Sequence, residues 1–384
     1  MSFARFTCAT IAGISVVVPK NEINIYDELS FYENSKKKVD RLNKMVGFWK
    51  RRVGEPGVTA SDYAVQAAER LFLEGGFSKN DIDLLIYVCQ RPDFSQPATA
   101  FYIHNKLNLS PDCAVLDVHH GCPGWVYGLW LAYQSIESGS SKKVLLLVGD
   151  TPATGLDINN RISAPVFGDG GVATLITNSE PADSYFEIQT FSNDFEAIIT
   201  PAGGHRIPLD FDHPEMLEEV TRPIRTKYGH MTRLTKGQMD GLAVFDFTIK
   251  KVPLVIKDLI QKSGVSVDET DYLLLHQANK QIVCTVAKMV GFTEDKAPYQ
   301  AFQNFGNNTM SSIPTSINFS LKEELENRDL NIVMSAFGNG LAVASAALKI
   351  RKGTYLSGVC EFEKPKDFKD IKDSIDYWVK KISI

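Results

Sequence analysis

The chain has 384 residues, of which 44% are hydrophobic and 23% are charged, and its formal net charge is -5. This composition is typical of a globular protein, long enough for two ordinary domains or one large fold in two parts. The mildly acidic balance, without a long basic run, excludes the electrostatic footprint of a nucleic-acid-binding protein. No stretch is apolar and long enough to span a bilayer, and the N-terminus has no signal-peptide layout. We therefore expect a cytoplasmic protein without a membrane partner.

The cysteines predict neither a metal site nor a disulfide framework. They form no CxxC pair and have no Cys/His spacing typical of zinc, although His119 and His120 lie near one of them. A disulfide framework is also not expected in a chain of this length without a secretion signal. The six cysteines are Cys8, Cys89, Cys113, Cys122, Cys284 and Cys360.

In chain order, the first predicted element is a strand that ends at Pro19, and a helix-like segment, "DYAVQAAERLFLEG", comes later. The next residues, "GFSKNDIDLLI" at 76–86, recur as "GVSVDETDYLL" at 264–274, again after a helix-like segment. In both copies the glycine is a natural helix stop, and a strand is expected after it. A second repeat pairs "FGDGGVATLIT" from Phe167 with "FGNGLAVASAALKI" from Phe337. We infer an internal duplication of an α/β unit.

The duplication defines the predicted domain organisation. An N-terminal half covers residues 1–180 and a C-terminal half covers 241–352. The polar, loop-rich segment 181–240 between them is either a surface connection or a cap. The short apolar runs "CAVLDVHH", "KKVLLLVGD" and "LNIVMSAFG" are typical of strands covered by helices on both faces.

The last segment, 353–384, has a different pattern. Its apolar residues recur at helical spacing between charged residues and predict an amphipathic helix packed on the body. A contact with a membrane surface or a partner is the alternative, and the mixture of Asp with Lys argues against simple binding to anionic lipid. The apolar positions are Phe368, Ile371, Ile375, Trp378, Val379 and Ile382.

The stretch "DVHHGCPGWVYG" at 117–128 contains the first candidate for chemistry. Cys122 lies between a strand-like run and a helix-like run, and Pro123 suits the first helical position. A thiol at the start of a helix is near the positive end of the helix dipole, which lowers its pKa. The residues alone leave two possibilities open, a nucleophile and a packed core cysteine.

Two further polar residues follow predicted strands in the second half. His276 ends the run "YLLLHQAN", and Asn307 lies in the glycine-flanked loop "NFGNNTMSSIP". A thiol, an imidazole and an amide at three strand ends of a duplicated α/β fold form a candidate catalytic set.

Together these motifs resemble one family over about residues 8–350. The sequences "CPG" at Cys122, "HQAN", "FGNNTMSSIP", "FGDGG" and "FGNGL" are similar to those of the β-ketoacyl-acyl-carrier-protein synthase III family of thiolase-fold condensing enzymes. The resemblance implies two duplicated α/β halves in a layered α-β-α-β-α arrangement, here followed by a C-terminal helical tail. It also implies a homodimer that needs neither a metal nor a redox cofactor, with coenzyme A or phosphopantetheine-linked acyl groups as substrates.

The resemblance assigns a role to each candidate. It implies that Cys122 is acylated by an acyl-CoA or an acyl carrier protein. Malonyl-carrier protein then loses carbon dioxide, and His276 with Asn307 holds the enolate that attacks the acyl group. The backbone N–H groups of Cys122 and Asn339 are implied to hold the oxyanion at the acylated thiol.

The chain departs from the family pattern in the residues expected to bind coenzyme A. Arg41 and Met45 stand where a tryptophan and an arginine that hold coenzyme A are expected. Arg161 is retained as a substrate-binding residue, and Gln281 replaces a further arginine. An acetyl-CoA-primed initiator is therefore less well supported than an enzyme with a specialised acyl donor.

Two departures concern the catalytic loops. Asn339 occupies a glycine position, which asparagine is expected to tolerate because it accepts left-handed backbone angles. His119 and His120 replace the small residues usual before the cysteine, and they either alter the site or simply pack at the end of the strand.

Four other functions share parts of this pattern. A degradative thiolase would need a second cysteine in "SAFGNGLA", and a hydroxymethylglutaryl-CoA synthase would need a glutamate near "CQRPDF". The enzymatic alternative is an acyltransferase that moves the acyl group from Cys122 to an alcohol or amine, although Asn307 favours condensation. A non-catalytic partner subunit is the alternative from another class, but such subunits typically lose the cysteine.

Overall fold

The computed structural model describes residues 2–156, 164–227 and 229–383. The strands within these residues, in chain order, are β1 (Ser2–Phe6), β2 (Ala9–Val18), β3 (Glu22–Asn24), β4 (Lys50–Arg52), β5 (Leu84–Cys89), β6 (Ala114–His119), β7 (Lys143–Asp150), β8 (Gly170–Asn178), β9 (Ser184–Thr190), β10 (Ile198–Ile199), β11 (Ile224–Arg225), β12 (Met231–Thr232), β13 (Gln238–Met239), β14 (Tyr272–Leu275), β15 (Leu330–Gly338), β16 (Ala342–Ile350) and β17 (Tyr355–Glu361). The helices are α1 (Lys36–Val46), α2 (Ala60–Gly75), α3 (Thr99–Leu107), α4 (Gly124–Glu137), α5 (Pro152–Gly155), α6 (Pro214–Thr221), α7 (Gly241–Ser263), α8 (Lys280–Met289), α9 (Gln300–Phe305), α10 (Ser312–Ser320), α11 (Lys322–Leu325) and α12 (Ile371–Ile382).

Two sheets and three helical layers form the body. The first sheet has the order β17-β2-β8-β7-β5-β6, and the second has the order β1-β9-β16-β15-β14. Helices α4 and α10 contribute to the apolar core shared by the two sheets. On the outer faces, α2 and α3 cover the first sheet, whereas α7 and α8 cover the second. This confirms the predicted α-β-α-β-α layering.

The repeat found in the sequence has a structural counterpart in each half. Helix α2 ends before Gly76 (φ 71°), and α7 ends before Gly264 (φ 72°), both in the left-handed region. Glycine adopts this conformation without the steric cost that a Cβ brings, so both helices stop at the same motif. A strand follows each stop, β5 in the first sheet and β14 in the second.

Each sheet contains strands from more than one of the segments predicted with boundaries at 180, 240 and 352. The N-terminal strand β1 and the strand β9 both belong to the second sheet, where β9 pairs with β1 and β16. Strand β17, from the C-terminal segment, pairs in parallel with β2 in the first sheet. Strand β17 is not evident from the local pattern, and the region of β9 resembles a loop in sequence because the polar residues around this strand dilute its apolar pattern.

One strand prediction is wrong in detail. "CAVLDVHH" forms β6, the last strand of the first sheet, and none of its residues is buried as a strand covered on both faces would require. Its residues alternate in accessibility, and Leu116 is 38% exposed. An apolar run does not by itself reveal whether a strand has one neighbour or two.

The C-terminal amphipathic helix is present as α12. It touches the body where Trp378 packs edge-on against Phe94, with ring centroids 6.4 Å apart, yet none of its residues is buried. Its apolar side chains, Ile371, Ile375, Trp378, Val379 and Ile382, are between 46% and 77% exposed. The helix therefore packs less closely on the body than the sequence analysis expected.

Among the described residues, no helix combines the length and the apolar character needed to cross a membrane.

Candidate active site

Cys122 lies in the turn between β6 and α4, with Pro123 as the N-cap of the helix. The thiol is packed against the end of β15. A Cβ added at Gly338 would lie 3.1 Å from Cβ and 3.2 Å from Sγ of Cys122. This close approach requires glycine at 338, whose φ of 147° also disfavours a side chain. The two halves of the fold therefore meet at the thiol.

The surroundings of Cys122 favour the protonated thiol. Burial is the main cause, and with the nearby Asp150 carboxylate it raises the thiol pKa to about 12. The backbone N–H groups of Asn339 and of Cys122 itself contact the thiol and act in the opposite direction. The expectation that the helix dipole lowers the pKa is therefore not met, because desolvation of the thiolate outweighs the donors around it.

His276 follows β14 and is only 3% exposed. Burial lowers the pKa of its imidazole to about 4, so the ring is neutral at pH 7. Its Nδ1 is 2.7 Å from the hydroxyl oxygen of Ser312, the first residue of α10. If this hydroxyl donates to Nδ1, the single ring proton lies on Nε2, which can then donate to a substrate.

The motif that contains His276 is held rigidly. Asn279 caps α8 by accepting from the backbone N–H of Ile282 at 2.8 Å. Gln277 is buried and donates to the carbonyl oxygens of Leu275 and Pro298, at 2.9 and 3.1 Å. These bonds fix both ends of the loop "HQAN", which limits the movement of the imidazole.

A hydrogen bond fixes the orientation of the Asn307 side-chain amide. Its Oδ1 accepts from the backbone N–H of Thr309 at 3.0 Å, which leaves the amide nitrogen as the group that can donate to a substrate. Thr309 has a positive φ of 52°, and its backbone lies beside the imidazole of His276. The loop "NNT" therefore orients the amide of Asn307 next to the imidazole.

Asn339 is positioned by its neighbours rather than by a left-handed backbone. The positive φ angles belong to the flanking residues Gly338 (147°) and Gly340 (144°), and Asn339 does not share them. The expectation that Asn339 adopts a left-handed backbone is therefore wrong. Its backbone N–H contacts the thiol of Cys122, and a Cβ added at Gly121 would lie 2.6 Å from its own Cβ.

These contacts bring four predicted residues into one site. Cys122 contacts Gly338 and Asn339, and the adjacent Phe337 packs edge-on against His276 with centroids 5.5 Å apart. Thr309 lies beside His276 and donates to Asn307. The site thus combines a thiol, an imidazole and an amide, with two backbone N–H groups at the thiol.

The two histidines before the cysteine have different environments. His119 is exposed, and its Nε2 donates to the carbonyl oxygen of Gln90 at 2.9 Å. His120 stacks on Tyr127, with centroids 4.1 Å apart, and burial lowers the pKa of its imidazole to about 4. His119 thus makes a hydrogen bond and His120 a ring contact, while Nδ1 of His120 is buried without a hydrogen-bond partner among the described residues.

The candidate substrate-binding residues that the structure describes lie at the surface. Gln281 is exposed in the first turn of α8, and Arg41 and Met45 are exposed on α1. Arg161 lies outside the described residues. Their roles stay predictions.

Sequence reasoning missed three residues of the site. Ser312, Gln90 and Asp150 contact the residues discussed above but lie in unremarked positions of the motifs. The hydroxyl-rich run after Asn307 was a usable signal for Ser312. Gln90 follows β5 and Asp150 ends β7, and only the neighbouring positions of these strands in the sheet bring the two residues together.

We expect the alkylation rate of Cys122 by iodoacetamide to rise about tenfold per pH unit up to pH 10 without a plateau, because only the thiolate reacts. Asp150→Asn removes a nearby negative charge that raises the thiol pKa, so it is expected to increase the rate about threefold to tenfold at a fixed pH. Peptide mass spectrometry separates Cys122 from the other cysteines. A plateau below pH 9 would contradict the dominance of desolvation and show that the helix dipole controls the thiol.

The layered fold and this site define a thiolase-fold condensing enzyme, a class of transferase. The 3-oxoacyl-[acyl-carrier-protein (ACP)] synthase III model matches residues 116–193, and the model of the C-terminal part of the same family matches residues 260–350. The chain is 33% identical, over 94% of its own length and 99% of the relative, to a provisionally named 3-oxoacyl-[acyl-carrier-protein] synthase 3 of Campylobacter jejuni. The chain belongs to the 3-oxoacyl-[acyl-carrier-protein] synthase III family.

Further relatives and structures agree with this assignment. A β-ketoacyl-[acyl-carrier-protein] synthase III of Neisseria gonorrhoeae is 26% identical over 89% of this chain and 99% of its own. The crystal structure of a 3-oxoacyl-(acyl-carrier protein) synthase from Burkholderia xenovorans superimposes with a TM-score of 0.84. Its sequence is 30% identical, and the match covers 94% of this chain and 99% of that one.

Proposed function

We propose that this enzyme condenses an acyl group carried on Cys122 with malonyl-carrier protein to give a β-ketoacyl-carrier protein. The observation that carries the proposal is the orientation of Asn307, whose oxygen is held by Thr309 so that its nitrogen is the donor. Transfer of an acyl group to an alcohol or amine forms no enolate, and so has no use for this second donor. Condensation needs it.

The acylation step uses the first half of the site. The sulfur of Cys122 attacks the thioester carbonyl of the donor, a new S–C bond forms, and the donor thiol leaves with the proton that Cys122 held. The tetrahedral oxyanion accepts from the backbone N–H groups of Cys122 and Asn339, which already contact the sulfur. This contact also offsets part of the desolvation that holds the thiol protonated.

The condensation step uses the second half. The bond between the malonyl carboxylate and its α-carbon breaks, carbon dioxide leaves, and the electron pair remains as an enolate. Nε2–H of the neutral His276 and the amide N–H of Asn307 donate to the enolate oxygen. The enolate carbon then attacks the acyl carbonyl, a C–C bond forms, the S–C bond breaks, and the sulfur of Cys122 takes up a proton from solvent.

The donor is proposed to be a specialised acyl group, either on coenzyme A or already on a carrier protein. Arg41, Met45 and Gln281 replace three residues that the family resemblance implies for coenzyme A. Helix α1 still presents exposed cations, and its end at Gly47 lies against Lys280 of α8. An anionic phosphopantetheine carrier suits such a surface, which is compatible with either donor.

Intact-protein mass spectrometry tests the proposal. The enzyme is incubated with a panel of acyl-CoAs and acyl carrier proteins, and malonyl-carrier protein is added second. An adduct that disappears as β-ketoacyl product forms is expected and identifies the donor. An adduct that is indifferent to malonyl-carrier protein but is discharged by an alcohol or amine would favour acyl transfer instead. Absence of any adduct would contradict both enzymatic functions and favour the non-catalytic subunit.

We further propose that the enzyme is a homodimer assembled through the edge of the first sheet. Strand β6 ends this sheet, and Leu116 on it and Phe101 on the adjacent α3 are 38% and 58% exposed. An uncovered edge strand with apolar side chains tends to pair with another chain unless it is protected. A second copy of the same edge would cover it.

Leu116→Lys is expected to convert the dimer to a monomer, because a charge on an edge strand opposes pairing. Size-exclusion chromatography with light scattering at micromolar concentration measures the mass. Leu254→Lys, at an exposed leucine of α7 on the other outer layer, is the matched control and should leave the dimer intact. A wild-type monomer, or a Leu116→Lys variant that stays dimeric, would refute this assembly.

A further inference from the structure

The side chain of Gln90 lies between a buried carboxylate and the loop that faces the nucleophile. Gln90 directly follows β5, and its Nε2 donates to the carboxylate of Asp150. Its Oε1 accepts from Nδ2 of Asn339 at 3.2 Å. One glutamine amide therefore joins the end of β7 in the first half to the loop after β15 in the second half.

The chemistry of these groups fixes the direction of each hydrogen bond. Asp150 is 3% exposed, and burial raises the pKa of its carboxyl, whereas the charge of Arg91 and the hydrogen bonds from Gln90 and the Thr151 backbone act in the opposite direction. The nitrogen of Gln90 faces this carboxyl, which as a carboxylate can only accept. The oxygen of Gln90 then faces Asn339, whose amide nitrogen must be the donor. Asp150 is anchored in turn by the backbone N–H of Thr151, at 2.9 Å. Reversal of the amide of Gln90 or Asn339 would break these hydrogen bonds. The arrangement therefore requires one orientation of each amide.

The loop that receives this anchor has little rigidity of its own. Gly338 and Gly340 flank Asn339, and glycine restricts the backbone least. The N–H of Asn339 contacts the sulfur of Cys122, while the side chain of Asn339 is tied to Gln90. On the side of β6, His119 donates to the backbone carbonyl of Gln90 at 2.9 Å and so ties the backbone of Gln90 to that strand.

We propose that Gln90, held by Asp150, is a positioning residue that sets the backbone N–H of Asn339 for the oxyanion at Cys122. The proposal rests on the proposed function for its effect on acylation. It accounts for two departures from the family pattern, because both Asn339 and His119 bond to Gln90. Asparagine at 339 supplies a side chain that can be anchored, which glycine cannot.

A double-mutant cycle with Gln90→Ala and Asn339→Gly tests the link. Gln90→Ala is expected to lower kcat for acylation about tenfold with KM changed less than twofold, because the donor matters most in the transition state. In the Asn339→Gly background, which has no side chain for Gln90 to hold, Gln90→Ala is expected to cost less than twofold. Gln66→Ala, which removes a glutamine bonded to the backbone of Glu363, is the control and should change nothing.

A second readout separates this inference from the proposed function. The N–H of Asn339 favours the thiolate, so its displacement is expected to slow alkylation of Cys122 by iodoacetamide severalfold at a fixed pH, whatever the natural substrate is. Thermal unfolding confirms that each variant is folded. Equal losses from Gln90→Ala in both backgrounds, or unchanged alkylation and acylation in the folded Gln90→Ala variant, would overturn the proposal. If no acyl donor modifies the wild-type enzyme, the proposed function fails, and the alkylation cycle alone decides the role of Gln90.

Discussion

Cys122→Ala is expected to lower condensing activity by on the order of 10⁴-fold or more and to abolish the acyl adduct. Without the sulfur, no S–C bond forms and the enolate has no acyl group to attack. The enolate donors are on other elements of the fold, so slow decarboxylation of malonyl-carrier protein should persist. Release of carbon dioxide, together with intact mass, measures the two activities separately.

Cys284→Ala is the matched control for this variant. Cys284 is also a partly exposed free cysteine, but it lies on α8 on the outer face of the second sheet. The Cys284→Ala variant should be acylated at Cys122 and should condense as the wild type does. A Cys122→Ala variant that retains a stoichiometric adduct, or normal product formation, would remove Cys122 from the mechanism.

Asn307→Ala is expected to have the opposite profile. Loss of one preorganised donor to a developing oxyanion typically costs about 10²–10³-fold in kcat, so decarboxylation and condensation should fall by this amount. Acylation of Cys122 should change by less than about threefold, because its oxyanion is held by other donors. The rate of adduct formation and the rate of carbon dioxide release distinguish the two steps.

Asn307→Asp distinguishes loss of the amide donor from disruption of the local structure. Aspartate keeps the oxygen that accepts from the N–H of Thr309 but cannot donate, and its charge repels an enolate. Its loss of activity should therefore equal or exceed that of Asn307→Ala. Asn304→Ala should be neutral, because the side chain of Asn304 donates to the backbone carbonyl of Gln300 within α9. Equal loss of acylation and decarboxylation in the Asn307 variants would indicate a general disruption of the site.

Cys122→Ala and Asn307→Ala together test the condensing mechanism, because each is expected to remove the step that the other preserves. If each variant removes one step and preserves the other, the site has two functional halves on two halves of the fold. An acyltransferase would lose activity in Cys122→Ala but keep most of it in Asn307→Ala.

The electrostatics of the site could not be read from local patterns. The position of Cys122 before α4 predicts a lowered thiol pKa, whereas its burial beside Asp150 raises it to about 12. Burial and the approach of a carboxylate from another strand depend on how β7 and β15 pack around the turn. The same packing makes His276 neutral at pH 7, because the ring is desolvated.

The sequence by itself determined the duplicated α/β architecture and the three catalytic candidates. Glycines such as Gly76 and Gly264 end helices through their own backbone freedom, which is a local property. The motifs at Cys122, His276 and Asn307 are each contiguous in the chain. Both signals can therefore be recognised from the sequence alone.

Only the tertiary structure decided which strand ends the sheet, which strands cross between the halves, and what surrounds the thiol. The anchoring of Asn339 by Gln90 joins positions 249 residues apart, and the exposure of β6 depends on its lack of a second neighbour in the first sheet. Neither leaves a local pattern, because hydrogen bonding and desolvation depend on distances that only the packing of the two sheets sets.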